Sequence, residues 1–196
     1  QKIENSLNLD IKFQKVIQKF VNASHSLEIL SRFTMEYKQF VVENTIMNYF
    51  PPFFQALKII CEHFNEIDCT SIFNALILII GNSSFAERGS IKQKEELDGL
   101  KEQAQMNSDE GLMEQIEEKK MIFDLYSEEI EICKSLYQDV IYLLDLTKDE
   151  NTASYLLIVI KLLISNKCID EDQFEGIINL TLKVIKSFTN SSICIF

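Results

Sequence analysis

Along most of this chain the apolar positions recur at alternating three- and four-residue steps, the spacing of helices that each bury one face. Ile3, Leu7, Ile11, Val16, Ile17, Phe20 and Val21 open the pattern as an amphipathic helix with a weak point at Asn8 to Asp10. Asn22 to Ser26 supplies short side chains of the kind that cap helix starts, which predicts a second helix on Leu27, Leu30, Phe33, Met35, Tyr37, Phe40 and Val41. Pro51 and Pro52 suit the first turn of a third helix, running to Phe64 with Phe53, Phe54, Leu57, Ile60, Cys61 and Phe64 on its core face. A polar turn at Asn65 to Asp68 precedes a fourth helix over Ser71 to Ile80, capped by Asp68 or Thr70. Gly81 to Ser84 is its expected stop, with Gly81 or Asn82 in the left-handed conformation.

From Ala86 to Lys120 the pattern thins. Nearly half of these residues are charged and none is aromatic, yet Leu97, Leu100, Ala104, Leu112, Met113 and Ile116 keep a narrow apolar stripe. Two polar helices, or a partly disordered hairpin turning at Asn107 to Gly111, fit this composition. The core signal then returns on Ile130, Cys133, Leu136, Tyr137, Val140, Leu143 and Leu144. Thr147 to Glu150 has the form of a capping box ahead of the run Tyr155 to Ile164. Asp170 to Gln173 has it again, ahead of Phe174, Ile177, Ile178, Leu180, Val184 and Ile185. The whole describes a single all-α domain over residues 1–196, carrying a polar charged helical hairpin or insertion at 86–120.

Composition narrows the field. Five Gly and two Pro in 196 residues are too few for a turn-rich β-sandwich or barrel. A 46% hydrophobic content is enough to build a core, which excludes global disorder. With a formal net charge of -11, and Arg only at Arg32 and Arg88, the chain lacks the basic patch that phosphate recognition requires, so nucleic acid is excluded as an expected partner. The most apolar runs, Ile72 to Ile80 and Tyr155 to Ile164, are too short to cross a membrane, and Lys161 interrupts the second.

An internal repeat adds to this picture. Phe54 to Ile80 can be laid without a gap on Tyr137 to Leu163 at a constant offset of 83. Leu57 then falls on Val140, Ile60 on Leu143, Glu62 on Asp145, Ser71 on Ser154, Ile77 on Ile160 and Ile80 on Leu163. That offset is close to twice the ~40–47 residues of a HEAT or armadillo unit. Over roughly Pro51 to Phe188 the chain therefore resembles a short α-solenoid of HEAT/armadillo type, built of stacked helical hairpins. It departs from that family where the polar Ala86 to Lys120 segment would have to serve as a unit, and an irregular helical bundle is the alternative. The resemblance implies a groove or face that binds a protein or a helical peptide.

Candidate chemistry is sparse. Cys61, His63 and Cys69 are the nearest approach to a metal cluster. They number one fewer than a structural zinc site usually needs, and Cys61 and His63 point about 200° apart on a helix. His25 and His63 are the only histidines, and neither adjoins a nucleophile motif. The five Gly form no phosphate loop. The acid pairs Glu128–Glu129 and Asp170–Asp172 stand at expected helix starts, where the dipole favours carboxylates. Catalytic, cofactor-binding and metal-ligating residues are accordingly expected to be none, with no cofactor and no enzyme activity.

Two features point to binding. The N-terminal half is rich in aromatics (Tyr37, Phe40, Tyr49, Phe50, Phe53, Phe54), any of which would anchor an interface if it faced solvent. The charged hairpin could likewise pair with a partner helix. The leading expectation is a non-enzymatic protein–protein interaction or scaffold module, itself a fragment of a larger protein. The cysteines at 61, 69, 133, 168 and 194 are odd in number and irregularly spaced, which suits free thiols in the cytoplasm. The alternative is a secreted helical bundle holding a lipid or other apolar ligand, to which the Asn-X-Ser/Thr sequons at Asn22, Asn82, Asn179 and Asn190 would belong.

Overall fold

Helices account for nearly all of the residues that the computed structural model describes (2–37, 40–63, 69–82, 91–106 and 110–188), and no strand occurs among them. No helix among the described residues is long and apolar enough to cross a membrane. The expected turn at Asn65 to Asp68, the start of the charged segment at Ala86, the hairpin turn at Asn107, the sequon at Asn190 and Cys194 lie outside them.

The first helix, α1 (Lys2–Tyr37), runs without the expected break at Asn22. It contains neither Gly nor Pro, and its hydroxyl side chains bond back along the same helix instead of starting a new one. Ser24 Oγ donates to the Phe20 carbonyl (2.9 Å), Ser31 Oγ to that of Leu27 (2.8 Å) and Thr34 Oγ1 to that of Leu30 (2.8 Å). All three side chains are buried, and with Phe20 and Leu27 they form the seam that meets the core. Continuity fixes the phase of the helix, so Leu30, Phe33 and Tyr37, expected inside, point outward.

Two shorter helices follow, α2 (Phe40–Met47) and α3 (Phe50–His63), with both prolines in the first turn of α3 as expected. α4 (Thr70–Ile80) starts from Cys69, which makes no side-chain cap bond, so neither expected capping residue fills that role: Thr70 is already helical and Asp68 lies outside the described residues. α4 has almost no solvent face. Ser71, Ile72, Phe73, Ala75, Leu76, Ile79 and Ile80 are all buried, because α1, α3 and the later helix over Glu150–Ser165 enclose it.

The charged segment forms α5 (Ile91–Met106), packed on the N-terminal part of α6 (Glu110–Leu146). Lys119 Nζ meets Glu96 at 2.6 Å, and Leu97 and Ile116 are buried between the helices but apart from the main core. The hairpin is thus a small arm with an apolar stripe of its own. Its second helix does not stop at Met121: with no Gly beyond Gly111 and no Pro, α6 continues into the core as one 37-residue helix.

α7 (Glu150–Ser165) begins at Asp149, whose carboxylate accepts the Thr152 backbone N–H at 2.7 Å. Thr147, expected as the cap, instead accepts the Asp149 N–H at 3.3 Å. The second expected box is present: Asp170 and Gln173 cap each other around a 3₁₀ turn (Glu171–Gln173) that leads into α8 (Phe174–Ser187).

Side-chain bonds give the directions of the neighbouring helices. Along α1 and α4, His25 meets Ser71, Glu28 meets Asn74 and Met35 meets Asn82, at sequence separations of 46, 46 and 47. Partners advance together, so the two helices are parallel. α4 and α7 are parallel as well, through the Phe73–Tyr155 ring stack (6.4 Å) and Asn166, which bonds the Ile80 carbonyl at a separation of 86. In a second layer, Asn44 meets Glu128, Lys58 meets Asp139 and Glu62 meets Tyr142, at separations of 84, 81 and 80. α8 then continues that layer beside α6, where Lys183 pairs with Asp145 at a separation of 38. One layer therefore holds α1, α4 and α7 side by side, and the other holds α2–α3, α6 and α8. Phe54, Phe73, Leu76, Val140, Leu144, Leu156 and Leu163 fill the space between them.

The joined ends of α4 and α7, with the open position Gly99 on α5 for contrast, give three stability predictions. Gly81 ends α4 at φ −83, not in the expected left-handed conformation. It is glycine for lack of room: an added Cβ would stand 2.6 Å from the Ile77 carbonyl oxygen, with Leu162 at 3.5 Å. Gly81→Ala should lower the denaturation midpoint by an equivalent of roughly 1–3 kcal/mol. Gly99→Ala, in open space within α5, should raise helix stability by about 0.5–1 kcal/mol. Asn166, buried, donates to both the Ile80 and Leu162 carbonyls (2.8 and 2.9 Å), so Asn166→Ala should cost about 1–3 kcal/mol by urea titration.

Candidate functional site

The α1–α4 seam gathers the densest polar side chains. His25 Nδ1 lies 2.6 Å from Ser71 Oγ, and Ser71 also hydrogen-bonds Glu28. Glu28 further accepts from Arg32 at 2.8 Å and from Asn74 at 3.3 Å. A serine, a histidine and an acid in contact invite comparison with a nucleophilic triad, where the base stands between nucleophile and acid. Here the serine stands in the middle. Ser71 is buried and has one proton to donate, so it links the other two, and its bonds tie α1 to α4. Burial opposes the charge on Glu28, but the hydrogen bonds from Arg32, Ser71 and Asn74 and the Arg32 charge outweigh it and hold the carboxyl below its usual range. The primary sequence offers no sign of this group, since its two halves stand 46 residues apart.

On the second layer a polar ridge crosses from α3 to α8. Lys58 Nζ pairs with Asp139 at 2.8 Å and lies 5.0 Å from the centre of the Tyr142 ring, whose hydroxyl donates to Glu62 at 2.7 Å. That bond raises the Tyr142 phenol above its ordinary value. A half-open pocket of about 250 Å³ lies between the ends of α6 and α8, lined in part by Leu144, Lys148, Lys183 and Phe188. Small-molecule sites are larger, roughly 300–1,000 Å³.

The expected chemical candidates separate. Cys61 and Cys69 come together, while nothing is described of the His63 side chain, and no group of three metal-ligating residues occurs among the described residues. The four described cysteines are free thiols. Glu128 and Glu129 are not at a helix start but midway along α6, where Glu128 accepts from Asn44 and Glu129 is buried. Asp170 acts as a cap.

Of the aromatics, Phe50 and Phe54 are buried, whereas Tyr37 and Tyr49 face solvent. Tyr37 belongs to a strip along the outer face of α1 with Ile29, Leu30 and Phe33, of which Ile29 is 69% and Phe33 52% exposed. The Phe33 and Tyr37 rings touch, 4.5 Å between centres. On α7 and α8, Ile158, Ile178 and Leu182 are exposed too. Compared with family models, curated proteins and solved structures, the chain matches none.

Because Glu28 is held in its charged form by folding, its contribution to stability is present above the ordinary carboxylate range and is lost as pH falls through and below it, around pH 4. Glu28→Gln should lower the urea midpoint at pH 7 and flatten its decline between about pH 5 and pH 3.

Proposed function

We propose that the chain is a helical-repeat module of HEAT/armadillo type that binds another protein and whose units are the helix pairs α1 with α2–α3, α4 with α6, and α7 with α8. The observation that carries this reading is the register of the parallel helices. In one layer the step is 46–47 residues and then 86; in the other it is 80–84 and then 38. Each layer has one short and one long step, and both long steps span the same segment, α5 with the first half of α6. With that arm counted as an insertion inside the middle unit, the steps run from 38 to about 51 residues, around the ~40–47 of such repeats. The family's unbroken stacking is then kept, and the charged segment need not serve as a unit.

Binding is assigned to the outer face of α1. Repeat arrays normally close with polar outer faces, and a strip of Ile29, Leu30, Phe33 and Tyr37 at the end of the stack is an apolar surface awaiting a cover. The odd number and irregular spacing of the cysteines support a reducing, cytoplasmic setting.

Replacing residues 86–120 by a short flexible linker should leave helical content and a cooperative unfolding transition in place; collapse of the remaining fold would contradict the repeat. A photo-crosslinker placed at Phe33 should give a saturable adduct with one protein of the source cell. The Ile29→Asp/Tyr37→Asp background should lose that adduct by about tenfold or more while its thermal midpoint is kept. An adduct indifferent to those changes would remove α1 as the binding face.

A further inference from the structure

The connection between α3 and α4 carries chemistry that the stacking does not use. Cys61 lies in the last turn of α3, and Cys69 is the residue from which α4 departs. α3 and α4 pack on each other, with Phe54 and Phe73 in edge contact (6.0 Å) further along the same two helices, and Cys69 stands near enough to Cys61 to bear on its ionisation. Their exposures differ. Cys61 is half-buried and open to a small reagent, whereas Cys69 is 4% exposed and sits behind it.

A second pair, Cys133 on α6 and Cys168 after α7, is built in the opposite way. Both sulfurs are buried. The hydrogen bond to Cys168, burial, and the neighbouring Cys168 and Glu129 charges push the Cys133 thiol well above its ordinary value. At Cys61 the hydrogen bond from Cys69 outweighs burial and lowers the thiol. Thiol–disulfide exchange needs an accessible sulfur as nucleophile, and of these two pairs only the first has one, at Cys61.

We propose that Cys61 and Cys69 form a redox modification site, which accepts a low-molecular-weight disulfide such as oxidised glutathione and closes to an internal disulfide. The Cys61 thiolate attacks one glutathione sulfur, the glutathione S–S bond breaks, and one glutathione thiolate leaves and is protonated. Cys69 then loses its proton and attacks the Cys61 sulfur of the mixed disulfide, releasing the second glutathione as a thiol. The protein has given up two electrons and two protons, and the oxidised glutathione has gained both. The new bond clasps the end of α3 to the start of α4.

The test treats the full-length protein with oxidised glutathione at neutral pH, blocks remaining thiols with N-ethylmaleimide, and reads intact mass and non-reduced peptide maps. The expected product has lost two hydrogens, carries no glutathione, and yields a Cys61–Cys69 linked peptide while Cys133 and Cys168 remain alkylatable after unfolding. Cys69→Ala should stall at glutathione bound to Cys61, and Cys61→Ser should slow glutathione uptake on the order of tenfold or more. Circular dichroism establishes that both variants are folded. Stable glutathionylation of Cys61 in the wild type, first closure of the Cys133–Cys168 pair, or no reaction at Cys61 would each overturn the proposal.

Discussion

Two helices can lie parallel and adjacent only if the chain travels back between them, and this constraint organises the molecule. α1, α4 and α7 stand parallel, so each interval must contain a return helix. α2–α3 and α6 supply the returns and become parallel neighbours in their turn. Two layers follow from that requirement. The apolar side chains between them form one cluster because each helix has a core face toward the opposite layer and flanks toward its own. α4, with neighbours on both flanks and a layer beneath, is the helix with least room for polar residues, and its composition agrees.

Local periodicity made the helices legible and often their ends, as at Pro51 and at the Asp170–Gln173 box. What it could not supply was phase. On α1 two stripes compete: Leu30, Phe33 and Tyr37 are the more apolar, but Phe20, Ser24, Leu27, Ser31 and Thr34 take the core. Small hydroxyl residues win because their hydroxyls are satisfied within α1 and because they let α4 approach closely, an advantage visible only when α4 is in place. Continuity was hidden for a related reason. A change in composition at Met121 marks where α6 gains neighbours, and a helix needs no break to pass from solvent into a core.

The candidate sites were less legible than the fold. His25 and Ser71, or Cys61 and Cys69, acquire meaning from contacts across helices, and no local motif records them. The offset of 83 was the one long-range signal in the primary sequence, and it corresponds to real adjacency: residues 80–86 positions apart touch along α2–α3 with α6 and along α4 with α7. Laterally stacked helices face similar neighbours and so select similar side chains at matched heights, whatever the origin of the likeness.

The uninterrupted course of α6 has a mechanical consequence. At 1.5 Å per residue its 37 residues make a rod about 55 Å long. Cys133, Leu136, Val140 and Leu144 anchor one end in the core, while the opposite end is braced by α5. Such a rod is a lever with its fulcrum in the core. A load applied near Gly111 is delivered as torque to the faces that α3, α7 and α8 share with it.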